Sequence, residues 1–193
     1  MTTTTRERPI HFSPPMAKVV HEGTKTQTRR VVKPQPTAFW GPPNECIAGG
    51  VLQCIVHDLS AKNIGNAREK YIGCPYGQPG DRLWVREAWA APHAYDHLPP
   101  RLIPQGATIH YAATEDRGGL LWRPSIHMPR WASRTLLEVT AVRVERLQAI
   151  SGGDGKAEGY DSCADFIDRS RLCRQNWDAN PWVWVIEFKK VQE

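Results

Sequence analysis

The segment Trp182–Lys190 constrains the fold more than any other part of the chain. Trp182, Trp184, Ile186 and Phe188 alternate with Val183, Val185, Glu187 and Lys189, and on an extended backbone the two sets point to opposite faces. Aromatic and β-branched residues suit such a pleated surface. A strand cannot pair its own N–H and C=O groups, so this one requires partners elsewhere in the chain. The longest is Arg134–Leu147, whose alternation slips at Ala141-Val142, where a bulge is expected. Further strands are read at Thr24–Val32, closed off by Pro34 and Pro36, at Arg82–Trp89, and around Ala107–Ala112.

Helices are few. Ser13 is a good N-cap, Pro14 suits a first helical position, and Gly23 is a natural stop. Met16, Val19 and Val20 give the turns between them one apolar face. A second helix is read from Ser162 to Trp177, with Phe166, Cys173 and Trp177 close to one face. Ser151 and Asp154 can cap a short third helix through Glu158. Gly152, Gly153 and Gly155 weaken it, each by about 1 kcal/mol against alanine. Residues 1–9 hold four threonines and three charges and are expected to be disordered. Residues 34–72 read as an insertion, with a hairpin around the apolar stretch Val51–Val56. Prolines and histidines fill 91–105, and Pro124 and Pro129 keep 122–132 irregular. The order helix, strand, loop, several strands, helix, last strand suits an α+β fold. The expectation is one domain over 10–193: a small β-barrel with two or three flanking helices and insertions at about 34–72 and 90–130.

Length and charge narrow the class. The 193 residues fit one domain and suffice for a core without disulfides or metal. No window approaches the roughly 18 apolar residues of a membrane span. The N-terminus lacks the apolar region of a secretory signal. A cytoplasmic protein with its five cysteines reduced is therefore expected. The net charge of +5 suits a polyanionic partner without proving one. Most of the eight tryptophans are read as packing, with one or two left as candidate platforms for a base. Cys46, Cys54, His57 and Cys74 were weighed as zinc ligands. Seven, two and sixteen residues separate them, which matches no tight CxxC knuckle, so no metal and no cofactor is expected.

Gly23-x-Lys25-Thr26-x-Thr28-x-Arg30 at the end of the first helix resembles the entry signature of ASCH domains. Gly80-Asp81-x-Leu83-x-Val85 resembles their next strand. Ala157-Glu158-Gly159 before a helix, then Val185-Ile186-Glu187-Phe188 as the closing strand, match the rest in order. The segments 34–72 and 90–130 are additions to the compact family form. Cys74-Pro75-Tyr76-Gly77 and Trp122–Trp131 resemble a larger subgroup common in bacteriophage and prophage genomes. The resemblance implies a PUA-like barrel and business with a nucleobase, free or in RNA or another single-stranded nucleic acid. Compact ASCH members include amidohydrolases that remove the acyl group of N4-acetylcytidine with a lysine, a threonine and a glutamate. By motif these fall on Lys25, Thr28 and Glu158. Others are ribonucleases, and a module that binds without chemistry is the remaining class.

Amide hydrolysis needs a nucleophile, a base and a proton donor for the leaving amine. Thr28 can be the nucleophile if Lys25 takes its proton. A lysine does so only when burial or a nearby cation lowers its pKa, and Arg29 and Arg30 are the candidate cations. Glu158 can protonate the leaving N4 or accept from it. Geometry sets a condition. Three apart on a regular strand, Lys25 and Thr28 point to opposite faces, so the backbone at 24–26 has to be irregular. Otherwise Lys25 is a solvated charge, Thr28 an ordinary strand residue and Glu158 a helix-end carboxylate. Thr26, Arg29 and Arg30 are expected on the substrate side. Arg123, His127, Arg130 and Arg134 can track phosphates or form a solvated basic loop, and Trp131 and Tyr76 can stack a base or fill the core.

Overall fold

The structure is a computed structural model that describes residues 5–36, 53–57, 69–116 and 118–191. Along the chain run β1 (Glu7–His11), α1 (Pro14–His21), β2 (Gln27–Val31), β3 (Gln53–His57), β4 (Glu69–Gly73), β5 (Arg82–Arg86), β6 (Trp89–Ala90) and β7 (His110–Tyr111). Then come β8 (Leu136–Arg146), α2 (Asp154–Ala157), α3 (Cys163–Arg169), α4 (Arg171–Asn176) and β9 (Trp182–Lys190). The fold is mixed α+β. Five strands form one sheet in the order β1-β5-β8-β9-β2. Only β1 and β5 run parallel. β3 pairs β4 and β6 pairs β7 in separate antiparallel ladders.

Two expectations are corrected here. The barrel is not closed: β1 and β2 are the edges of the sheet and share no ladder. Between them in sequence lies α1, and it buries Ala17 and Val20 in the same core as the strands. The edges still come close, because Nη2 of Arg30 on β2 donates to the carbonyl of His11 on β1 over 2.7 Å. Residues 1–9 are not disordered as a block either. Glu7–His11 is a strand in register with Arg82–Arg86. The polar composition there concealed Ile10, whose side chain is fully buried.

β9 explains why the sheet is stable. Trp184, Ile186 and Phe188 pack into the main core with Ile10, Leu83 and Leu137. Val183 and Val185 pack on the other face against Leu147, Phe166 and Cys173, under α3 and α4. Each such side chain contributes roughly 1.5–3 kcal/mol of hydrophobic burial. The slip along β8 falls between Val139 and Ala141, one step before the position read from the alternation. The single helix expected over 162–177 is two. Ser170 is extended, at ψ 134°, and its hydroxyl accepts from the Cys173 amide to start α4, as Ser162 does from Asp165 to start α3. A serine that caps a new helix competes with continuing the old one.

The segment beyond β5 is not bare loop. Trp89, Ala91, Ile103, Met128 and Ala132 form a second, smaller core, with Trp131 packed against its edge. Among the described residues no helix is long and apolar enough to cross a membrane.

Candidate functional site

The condition set by spacing is met. The strand expected from Thr24 begins only at Gln27. Gly23 takes a left-handed φ of 81°, and the amides of Thr24 and Lys25 both donate to the Val19 carbonyl at the end of α1. Lys25 therefore sits in a turn and Thr28 on a strand, and both line one cavity of about 450 Å³ with Glu158, Arg29 and Arg30. That volume suits a small ligand.

Glu158 arrives from the other end of the sequence. It ends α2, and the Thr26 amide donates to the carbonyl of Ala157, tying α2 to the turn. Two glycines permit this approach. A Cβ on Gly155 would lie 2.3 Å from the backbone of Ser162 and Cys163. One on Gly159, which has φ +83°, would press on Val19 and on Lys25 Cβ at 3.0 and 3.1 Å.

The result is a buried charge network. Lys25 Nζ lies 2.7 Å from Glu158 Oε2 and donates to the Glu158 carbonyl, also over 2.7 Å. Arg29 holds the other oxygen of Glu158 at 3.3 Å and reaches Asp154 at 2.9 Å and Glu145 at 3.2 Å. Arg143 completes the set with Glu145, Glu187 and Asp154. Lys25, Thr28, Arg29 and Glu158 are each 3–4% exposed. Buried charges persist only when paired in this way. Burial pushes the Lys25 ammonium below the ordinary lysine value; Glu158 opposes that shift, and Arg30 and Arg29 add to it. Burial alone would raise Asp154. Hydrogen bonds from Gln27 and from Ser151, and the Arg29 charge, bring it down to about 2 instead.

Thr28 is different. It lines the cavity, and among the described residues its hydroxyl is given no hydrogen-bond partner. Phe12, Tyr160 and Phe166 supply apolar wall. Tyr160 and Phe166 meet edge to face at 5.3 Å, and the Arg30 guanidinium lies 5.2 Å from the Phe12 ring. His11, also on the wall, has its pKa lowered by burial and then by Arg86 and Arg30.

The other expected site residues lie apart. Thr26 is exposed and bonds through its backbone. Tyr76 lines an adjoining cavity of about 580 Å³ that shares Arg29, Arg30, Arg171 and Leu172 with the first. Arg123 is buried and donates to the carbonyls of Tyr95 and Leu98 at 3.0 and 3.1 Å. Arg134 grips Glu87 with two nitrogens and lies over Tyr111. Arg130 pairs with Glu7, His127 is exposed, and Trp131 rests on the second core. None of these five lines the Lys25 cavity. Of the residues weighed for zinc, Cys46 lies outside the described residues, as do the side chains of Cys54 and His57. Among the described residues no His, Cys, Asp or Glu group could hold a metal.

Sequence reading missed Asp154 and Glu145 as partners of Arg29, and Phe12 and Tyr160 as cavity wall. It also missed Arg171 and Arg174, whose spacing of three on a helix places them side by side and was a usable signal. Comparison of the chain with family models, with curated proteins and with solved structures returned no match.

Proposed function

We propose that the chain is an ASCH-type protein with a PUA-like fold that removes the acyl group from an N4-acylated cytosine. One observation carries the reading: Lys25, Thr28 and Glu158 line a single cavity, with Lys25 and Glu158 in a buried ion pair. Burial lowers the Lys25 value and so favours its neutral amine, and the reading has that proton pass to Glu158 across the 2.7 Å contact. The pair then supplies the base and the acid that amide hydrolysis requires.

Lys25 takes the Thr28 proton as Oγ1 bonds to the acyl carbon. Glu158 gives its proton to N4 as the C–N bond breaks, and cytosine leaves. Water next attacks the acyl-threonine and passes a proton to the Glu158 carboxylate. Lys25 returns a proton to Thr28, the acid departs, and the site is restored. Arg30 lines the wall beside Thr28, makes no ion pair among the described residues, and is a donor available to the tetrahedral oxyanion. Aromatic wall from Phe12 and Tyr160 suits the face of the base.

Incubation with N4-acetylcytidine and chromatography for cytidine tests this. Thr28→Ala should lower the rate by about 10³-fold, within the range for loss of a principal catalytic group. The working pair carries one proton. Activity should therefore fall as pH rises through the lowered Lys25 value, with a midpoint below 10.5. Wild-type protein that binds the nucleoside and releases no cytidine would leave a base-binding site without chemistry.

A further inference from the structure

One turn of helix carries two carboxylates toward Arg29. Asp154 opens α2 and Glu158 caps its end, with the Glu158 amide donating to the Asp154 carbonyl over 2.8 Å. Four apart on a helix, the two side chains leave on one face, and both meet Arg29 on β2. The guanidinium is not shared equally. Its Nη2 lies 2.9 Å from Asp154 and 3.2 Å from Glu145, while Nη1 lies 3.3 Å from Glu158. Asp154 holds the shortest contact, and it is itself fixed. Gln27 donates to its Oδ1 over 3.0 Å, and the Ser151 amide and hydroxyl donate to its Oδ2 over 2.6 and 2.7 Å. Arg143 stands 3.5 Å away. Neither Asp154 nor Glu145 lines the Lys25 cavity, so neither is placed to touch a substrate there.

Resting on the reading of the Lys25 cavity as an amidohydrolase site, we propose that Asp154 is a positioning residue: it draws Arg29 off Glu158 and so keeps Glu158 free to take the Lys25 proton. Glu145 assists from β8. The reason is charge. A guanidinium left to Glu158 alone would give that carboxylate two cations, Lys25 and Arg29, inside a buried site. Attraction between charges is strong there over a few ångströms, and it favours a carboxylate that keeps its charge. With Asp154 and Glu145 beside it, Arg29 is already balanced. Lys25 and Glu158 are then left as a pair with one proton to share. The other titratable groups around the pair are Arg30 on β2, His11 on the cavity wall, the Tyr160 phenol and the Cys173 thiol. None of these four is a carboxylate, so none can balance Arg29.

The test uses Asp154→Asn, which keeps the shape and the acceptor for Gln27 and removes the charge. The first readout needs no substrate. The Lys25 side chain is followed by nitrogen NMR in the folded protein, assigned by its loss in Lys25→Arg, and titrated with pH. Arg30 and Arg29 already lower the Lys25 value. Without the Asp154 charge Arg29 acts on Lys25 less opposed, so the midpoint should fall by about one pH unit. Glu145→Gln should shift it the same way by less, because its contact is longer and its side chain more exposed, 18% against 11%. Glu138→Gln, which removes a carboxylate paired with Lys189, should leave it in place. The second readout is cytidine release. Asp154→Asn should lower kcat about 10²-fold with KM within about threefold, and its alkaline limb should move down with the Lys25 midpoint. An Asp154 with only a structural role would cost stability, read by thermal melting, and leave the midpoint where it was. If Asp154→Asn does not fold, Glu145→Gln decides by the same midpoint. The proposal is overturned by an unmoved Lys25 midpoint in the folded variants, or by Asp154→Asn protein with wild-type kcat. Wild type that releases no cytidine while the midpoints move as stated removes the hydrolase reading and keeps Asp154 as the residue that sets the pair.

Discussion

Two groups of arginines in this chain look alike in sequence and sit in different surroundings. Arg29 and Arg30, beside Lys25, stand on the wall of a cavity. Arg123, Arg130 and Arg134 stand in the segment that joins β5 to β8, and each is spent on structure. Arg123 ties together the carbonyls of Tyr95 and Leu98 under Trp89, Arg134 neutralises buried Glu87, and Arg130 pins the N-terminal strand through Glu7. A basic cluster therefore says nothing about ligands until its partners are known. An arginine already supplied with acceptors has little left to offer a phosphate.

That contrast can be broken by mutation. Arg29→Met should have the largest effect on stability. It leaves Glu158, Asp154 and Glu145 without their shared cation inside the protein, a loss of about 3–5 kcal/mol, read as a shift in urea midpoint. A variant of near wild-type stability would mean that Arg143 and Lys25 carry the network alone. Arg123→Met comes next. It should cost about 2 kcal/mol, because buried carbonyls lose a charged donor, and leave cytidine release within about threefold of wild type. A collapse of activity at unchanged stability would move this segment from scaffold to site.

Acid unfolding sharpens the comparison from the carboxylate side. Asp154 has its pKa depressed from 3.8 to about 2. Its stabilising contribution, about 2 kcal/mol, is therefore complete above pH 4 and lost as pH falls towards 2. Urea titrations at pH 5, 3 and 2 should show that loss in wild type and not in Asp154→Asn. The smallest effect is expected at the exposed pair of Arg130 and Glu7, with side chains 43% and 37% accessible. Arg130→Ala should change stability by less than about 1 kcal/mol, and less again in high salt.

How much was legible depended on whether a feature was local. The cap-and-stop pattern at Ser13, Pro14 and Gly23 places α1 almost to the residue. The alternation of 182–190 places β9. The motif singled out Lys25 and Thr28, together with the condition that Lys25 leave the strand, and the two line one cavity. By contrast, Ile10 is a lone apolar residue among charges, and only its pairing with Val85 on β5 makes it a strand. Ser170 reads as one more residue of a helix until its hydroxyl is seen to cap the next. Strand count gives no answer about closure, because that depends on what fills the gap between the edges.

The sequence by itself determined α1, β8 and β9. Those follow from period, capping and turn residues within a few positions of one another. Only the tertiary structure decided that Glu158 would meet Lys25 across 133 positions. The same holds for Asp154 and Glu145 holding Arg29, and for Arg171 and Arg174 lining the Lys25 cavity. Charge pairing acts through space over a few ångströms, and the chain brings those atoms together only when the sheet, α1 and α2 have packed.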